Sequence, residues 1–371
     1  MIHFSTSAKL APVHLSLGTT LWIYVLIAFN NHLYSEIVLS EALSVEGYLD
    51  VCAEYNDLNQ SAPSSGHSSL NADELSLSFI VKHGSIVSGQ LDIAYDGTDS
   101  SQGMQLDQAL AVIRLEHGEL TIGQYASMLG FEAFDPTGLY QSTTAYNLGF
   151  IGDFSVLNQY AYGVKYSYMT AVNFFGISLQ KGAADIDANP LHKPYENTDS
   201  MVEVATAQDW GAGLTSFLGG AYCKDDGGNR SSYSINAYIT YENQAWVFAA
   251  ELNRYNSKVG SQLGEHINQS VLVPFTAGKE NVLQWLLMAN YTYSDRASIT
   301  ARVSRSKHES DLLNTDEGIR ADFIKFTAAH RQELTDNLTI ISELSLIEAD
   351  SPFAGFLVGG VQGTAHILFT F

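Results

Sequence analysis

The last eleven residues read VQGTAHILFTF (361–371), and the fold turns on which solvent their apolar row faces. Odd positions carry Val361, Gly363, Ala365, Ile367, Phe369 and Phe371; even positions carry Gln362, Thr364, His366, Leu368 and Thr370. Except for Leu368 the two rows separate into apolar and polar, the period-two signature of a strand with two unlike faces. A half-buried strand of a soluble sheet fits. So does a strand of a transmembrane barrel, about 10 residues long with its apolar row outward and its polar row toward a lumen.

Composition narrows the choice. Charged residues make up 16% of the 371 residues, against roughly 25% in soluble domains, while the hydrophobic share is an ordinary 46%. Tyr (20) and Gly (30) are abundant, Pro (7) is scarce, and the mean hydropathy is -0.01. A helical membrane protein needs repeated apolar runs of about 20 residues, which this balance does not supply. A net charge of -22 argues against nucleic acid as a partner, because phosphates demand Lys and Arg. One apolar run stands near the start, LSLGTTLWIYVLIAF (15–29), with Lys9 before it and small residues Ser40, Ala42 and Ser44 after it. Residues 1–42 therefore read as a signal or targeting segment, with cleavage expected around 35–42; a retained membrane anchor is the alternative. The two cysteines, Cys52 and Cys223, can pair after export, but their spacing marks neither a disulfide framework nor a metal site.

From residue 43 to 371 the chain reads as one all-β unit. Strands are expected at 43–54, 73–83, 85–95, 106–116, 119–126, 159–168, 171–181 and 199–208. They continue at 211–222, 231–241, 244–254, 280–293, 296–305, 319–329, 337–348 and 361–371. That is about 16, the even number that closed bacterial barrels use. The breaks alternate in length. Tight connections such as Gly84, "HG", "MT", "EN" and "SD" are of hairpin size. Every other break is long, including 127–158 and 255–279. Short turns at one end and long loops at the other are the layout of a transmembrane barrel, and a soluble sandwich has no reason to keep that parity. Closure also pairs every backbone polar group, as a membrane requires, and it sets the first strand beside the last. The fold class is an antiparallel transmembrane β-barrel of about 16 strands, with the apolar row of HILFTF toward lipid.

Three stretches then resemble outer-membrane β-barrel porins, in particular the OmpL-like porins: GELTIGQYASMLGFEAF (118–134), QYAYGVKYSY (159–168) and the terminal ILFTF (367–371). The family pattern places a basic residue where Gln124 stands. The resemblance implies a water-filled channel for passive diffusion of small hydrophilic solutes and ions across the outer membrane, commonly as a homotrimer. It implies Phe371 as the aromatic signal read by the outer-membrane assembly machinery. It further implies that the third loop, 127–158, folds into the barrel opposite basic wall residues. The loop carries Glu132, Asp135 and Asp153 and no Lys or Arg, so these three are the expected acidic side of a constriction. Parity places Lys82, Lys165, Arg302 and Lys325 on the inner wall, with Arg114 at its margin, accompanied by Glu46, Asp50, Asp92 and Glu251. Opposed charges of this kind orient dipolar solutes and bias ions, here toward a mild cation preference. The acidic loop residues Asp185, Asp187, Asp225 and Asp226 are either solvated or bind cations that bridge lipopolysaccharide. His366 reads as a lumen-lining polar residue rather than a metal ligand, and no metal or cofactor is expected. With no G-x-S-x-G, H-E-x-x-H or P-loop, no enzyme activity is expected either. A plugged barrel that displays its loops as a surface structural protein or adhesin is the second reading. The small polar inner row (Ser76, Ser78, Ser88, Gln90, Gly163, Ser167, Ser298, Thr300) favours water in the lumen.

Overall fold

The computed structural model describes residues 37–59, 67–96, 104–132, 136–148, 154–157, 160–183, 200–224, 231–259, 278–310, 319–351 and 356–371. Within them the chain forms a short strand, β1 (Ile37–Ser40), and sixteen long ones. In order these are β2 (Leu43–Asn59), β3 (His67–His83), β4 (Val87–Asp96), β5 (Met104–Leu115), β6 (Gly118–Ala126), β7 (Tyr160–Met169), β8 (Asn173–Ala183) and β9 (Ser200–Gly211). They continue as β10 (Leu214–Lys224), β11 (Ser231–Glu242), β12 (Trp246–Val259), β13 (Gly278–Ser294), β14 (Ala297–Ser310), β15 (Ile319–Thr335), β16 (Leu338–Ser351) and β17 (Phe356–Thr370). Each of β2–β17 pairs antiparallel with the next, and β17 pairs with β2 from Thr370↔Tyr48 to Gly359↔Asn59. The sheet is a closed 16-stranded barrel with one extra strand, so no edge is left open in the hydrocarbon.

All sixteen expected strands are present, and the alternation of short turns and long loops holds around the whole barrel. Strands run past their expected ends, β2 to Asn59 and β15 to Thr335, because ladder hydrogen bonds persist where the apolar row has stopped. The unforeseen strand is β1. β17 reaches down β2 only to Tyr48, and β1 occupies the edge beyond it, with Ile37 opposite Val45. Residues 37–42, counted with the expected leader, are thus a hairpin on the barrel rim; residues 1–36 lie outside the described residues.

The terminal strand settles the question of solvent. Ile367 and Phe369 are exposed on the outer surface, while His366 and Leu368 are buried on the inner one. The same holds for Leu283, Leu287 and Tyr291 on β13 and for Leu344 and Leu346 on β16. An outer surface so rich in exposed large apolar side chains is built for lipid. Aromatic side chains cluster near both margins. At the short-turn end Trp246 stacks on Phe248 and on Tyr291, with Trp210, Tyr241 and Tyr293 nearby. Toward the loops stand Tyr55, Tyr95, Tyr162, Tyr222 and Tyr233. From Tyr233 to Tyr241 the strand rises about 27 Å, or about 20 Å after the usual tilt, close to the apolar height of such barrels. Tyr160 breaks the row: two residues before the outward Tyr162, it is buried and lines a polar cavity on the inner face. The β7–β8 ladder slips between Ala161 and Tyr162, and a slip by one residue turns a side chain to the other face.

The last residue is held by the barrel. Phe371 N–H donates to Gly47 O and Gly47 N–H to Phe371 O, each at 2.9 Å. A side chain on Gly47 would run into the Phe371 ring and the Ser76 carbonyl, so only glycine leaves room for the ring.

Candidate functional site

The third loop leaves β6 at Ala126 and turns into the lumen. Irregular backbone inside a barrel needs partners for its N–H and C=O groups, and the wall provides them. Three inward carboxylates take the N–H groups. Glu203 on β9 accepts from Met128 N–H at 2.6 Å and from the Ser127 hydroxyl at 2.8 Å. Glu251 on β12 accepts from Phe131 N–H at 2.8 Å. Glu343 on β16 accepts from Ser142 N–H at 2.9 Å and Thr143 N–H at 3.0 Å. Inward cations take the carbonyls. Arg302 on β14 donates to Thr143 O at 2.8 Å and Thr144 O at 3.1 Å, and Lys325 on β15 donates to Asn147 O at 2.7 Å. Apolar packing fills the gaps. Ala145 and Tyr146 sit on Ala249, Leu286 and Met288, while Met128 and Leu129 sit on Met201, Ala205 and Phe217. This burial pushes the Tyr146 hydroxyl well above its ordinary pKa, so it stays protonated.

The expected site residues fall into groups. Glu132 and Arg302 come together, but in direct contact: they form a buried ion pair, and Glu132 also accepts from Gln141 and Ala145 N–H at 2.6 Å each. The expectation of opposed charges across an open constriction is corrected for this pair, because a desolvated carboxylate at this depth is held by the nearest buried cation. Lys325, fully buried, lies 3.8 Å from Glu343 and clasps the loop. Lys165 on β7 sits over the Tyr125 ring at 4.7 Å. Lys82 is exposed at the short-turn end of β3, and Arg114 pairs there with Glu119 at 3.3 Å. Asp50 is sequestered against His366 at 2.8 Å. Asp135 and Asp153 lie outside the described residues.

Opposite the loop's anchorage, Glu46, Ser76, Ser78, Asp92, Asp107 and Tyr160 line a small polar cavity with Gly47 and Tyr48, and no Lys or Arg is among them. Asp92 is oriented by Gln90 at 2.8 Å and Gln108 at 2.6 Å. The lumen therefore has two unlike halves. The half from β9 to β17 is taken up by neutralising the third loop, and the half from β2 to β5 presents an acidic wall. Carboxylates against low-dielectric walls concentrate counter-ions.

Glu203, Glu343 and Asp107 were not singled out in the sequence. Glu203 stands on a strand whose inner row (Met201, Glu203, Ala205, Ala207) is mostly apolar because it packs against Met128, so alternation was blurred there. A lone acid in an otherwise apolar inner row was the available signal. Cys52 and Cys223 do not pair with each other: β2 and β10 stand half-way round the barrel. Instead Cys52 Sγ lies 3.2 Å from His366 Nε2 across the β2–β17 seam.

No family model and no curated protein matches the sequence. Solved structures do match in shape. OmpF of Salmonella typhi, in complex with daunomycin, superposes with a TM-score of 0.60 at 14% identity, covering 91% of this chain and 100% of that one. An anion-selective porin from Comamonas acidovorans gives 0.58 at 14% identity, covering 89% and 99%. OmpT of Vibrio cholerae, an outer membrane protein in its trimer form, gives 0.55 at 10% identity, covering 89% and 100%. At such identities the likeness is one of architecture, and the closed barrel with its apolar outer face has the fold of the bacterial outer-membrane porins.

Proposed function

We propose that the protein is an outer-membrane porin, a water-filled channel through which small hydrophilic solutes and ions diffuse passively, with a mild preference for cations. The observation that carries this reading is the acidic strip of Glu46, Asp92 and Asp107 that lines a polar cavity on the wall between β2 and β5. A porin's narrowest point lies where an inserted loop faces the opposite wall, and the charges lining it decide which ions pass. Here the loop's Glu132 is neutralised by Arg302, so the strip supplies charge that Glu132 does not. Asp135 and Asp153 remain further candidates for the constriction. The anion selectivity of the Comamonas neighbour is not carried over, since selectivity follows lining charge, which 14% identity does not preserve.

The reading includes removal of an N-terminal leader within residues 1–42, recognition of Phe371 by the assembly machinery, and contact with lipid and lipopolysaccharide. A homotrimer is the expected assembly. No catalytic role is assigned.

The test is single-channel current in a planar bilayer, with reversal potential under a KCl gradient. The chain is expected to give stable steps and a cation-selective potential. Glu46→Gln, Asp92→Asn and Asp107→Asn together should move that potential toward zero selectivity. The second reading, a plugged barrel that displays its loops as a structural protein or adhesin, draws on the packing of the third loop over apolar wall residues. A folded, inserted barrel without conductance steps would favour it and refute the channel.

A further inference from the structure

On the inner face of the seam between β2 and β17, donor atoms of three chemistries converge. Register sets Cys52 opposite His366, and Cys52 Sγ lies 3.2 Å from His366 Nε2. The other ring nitrogen, Nδ1, is 2.8 Å from Asp50 Oδ2. An ionised carboxylate only accepts, so Nδ1 carries a proton, and Nε2 is the ring nitrogen that faces the thiol. Asp73 arrives from β3 by an irregularity. The β2–β3 ladder pairs Asp50 with Glu74 and Val51 with Ala72, which leaves Asp73 as the extra residue of a bulge. A bulge breaks the ladder and re-aims a side chain. Its outcome is that one donor atom each from Cys52, Asp73 and His366 lies within 4.8 Å of the others.

We propose that Cys52, His366 and Asp73 form a transition-metal site on the lumen wall, selective for Zn2+-like ions, with Asp50 as the positioning residue behind His366. Tetrahedral zinc bonds of about 2.3 Å to sulfur and about 2.0 Å to nitrogen set those two donors about 3.5 Å apart, close to the separation seen here. Three protein ligands leave a fourth position for water or a passing solute. Thiolate and imidazole favour zinc over the hard ions Mg2+ and Ca2+. The carboxylate–imidazole–metal arrangement is the usual way a ligating histidine is oriented. A second observation points the same way. Asp50 is fully buried, and its Oδ1 has no hydrogen-bond partner among the described residues. A buried carboxylate with one idle oxygen is costly unless positive charge lies close by, and a bound dication supplies it. A network that merely fastened the seam would need Cys52, His366 and Asp50, but not the bulge that brings Asp73 inward.

The test uses the full chain folded in detergent, stripped with EDTA and titrated with Co2+ alone, then with Zn2+ alone. The expected result is one Co2+ per barrel with a thiolate-to-cobalt charge-transfer band, bleached by Zn2+. Cys52→Ser should abolish the band, and Cys223→Ser should keep it. Asp50→Asn, which retains the side chain's shape, should weaken binding about 10–100-fold. Folding of each variant is checked by its resistance to SDS before heating. A folded wild-type barrel without the band, or a band that survives Cys52→Ser, overturns the site. Full affinity in a folded Asp73→Ala barrel overturns Asp73 as a ligand. Metal binding is read without conductance, so failure here leaves the porin reading intact, and the reverse holds too.

Discussion

Replacing Arg302 with methionine should release the third loop while leaving the barrel closed. Arg302 is fully enclosed and holds three loop groups at once: the Glu132 carboxylate and the Thr143 and Thr144 carbonyls. Removing one partner of a buried ion pair strands the other charge, which costs about 3–5 kcal/mol. At about 1.4 kcal/mol per decade, local detachment of the loop becomes about two to three and a half powers of ten more frequent. The strand ladders do not pass through the guanidinium, so SDS resistance of the barrel should persist. Single-channel records should show larger steps with added flicker, and limited proteolysis should cut within 127–158. The decisive comparison is the double variant Arg302→Met/Glu132→Gln. It strands no charge, so it should recover at least about 2 kcal/mol of the loss in a double-mutant cycle on loop proteolysis. Unchanged conductance and proteolysis in Arg302→Met would refute the claim that this pair anchors the loop. So would a double variant as loose as the single one.

Face assignment is checked by Leu344→Arg against Ser345→Arg, neighbours on β16 with opposite orientation. The first puts a charge into the bilayer and should cost about 2–4 kcal/mol in refolding titrations, whereas the second should alter conductance with no membrane penalty. Gly47→Val should slow or block folding by driving the Phe371 ring and the Ser76 carbonyl away, seen as loss of the SDS-resistant band; normal yield would show that the ring has another place to go. Leu286→Ala removes the fully buried side chain beneath Tyr146, and about 2–5 kcal/mol of loop anchorage should go with it. Loop proteolysis unchanged from wild type would argue that the packing there is incidental.

Much of the barrel was legible in the residues because each strand writes its own two solvents. In VLQWLLMANYTY the period-two row of Leu283, Trp285, Leu287 and Tyr291 can only lie toward lipid once Gln284 and Asn290 lie toward the lumen. Turn lengths alternate because successive connections of an antiparallel barrel fall at opposite rims, tight at one and long at the other, and the length of each break is written locally. β1 was hidden because IVLS sits inside an apolar leader-like stretch with no alternation of its own.

The sequence by itself determined the sixteen barrel strands, the faces of most of them, and the order of tight and long connections. The tertiary structure decided which charges meet. Arg302 finds Glu132, Glu343 finds the Ser142 and Thr143 amides, and Cys52 finds His366 across 314 residues. These encounters depend on closure, which brings the chain's two ends into register, and on bulges such as that at Asp73, which reverse parity without leaving a local mark. A strand's pattern reports which side of the sheet a residue faces; only the closed ladder sets the height at which it stands and the neighbours it has there.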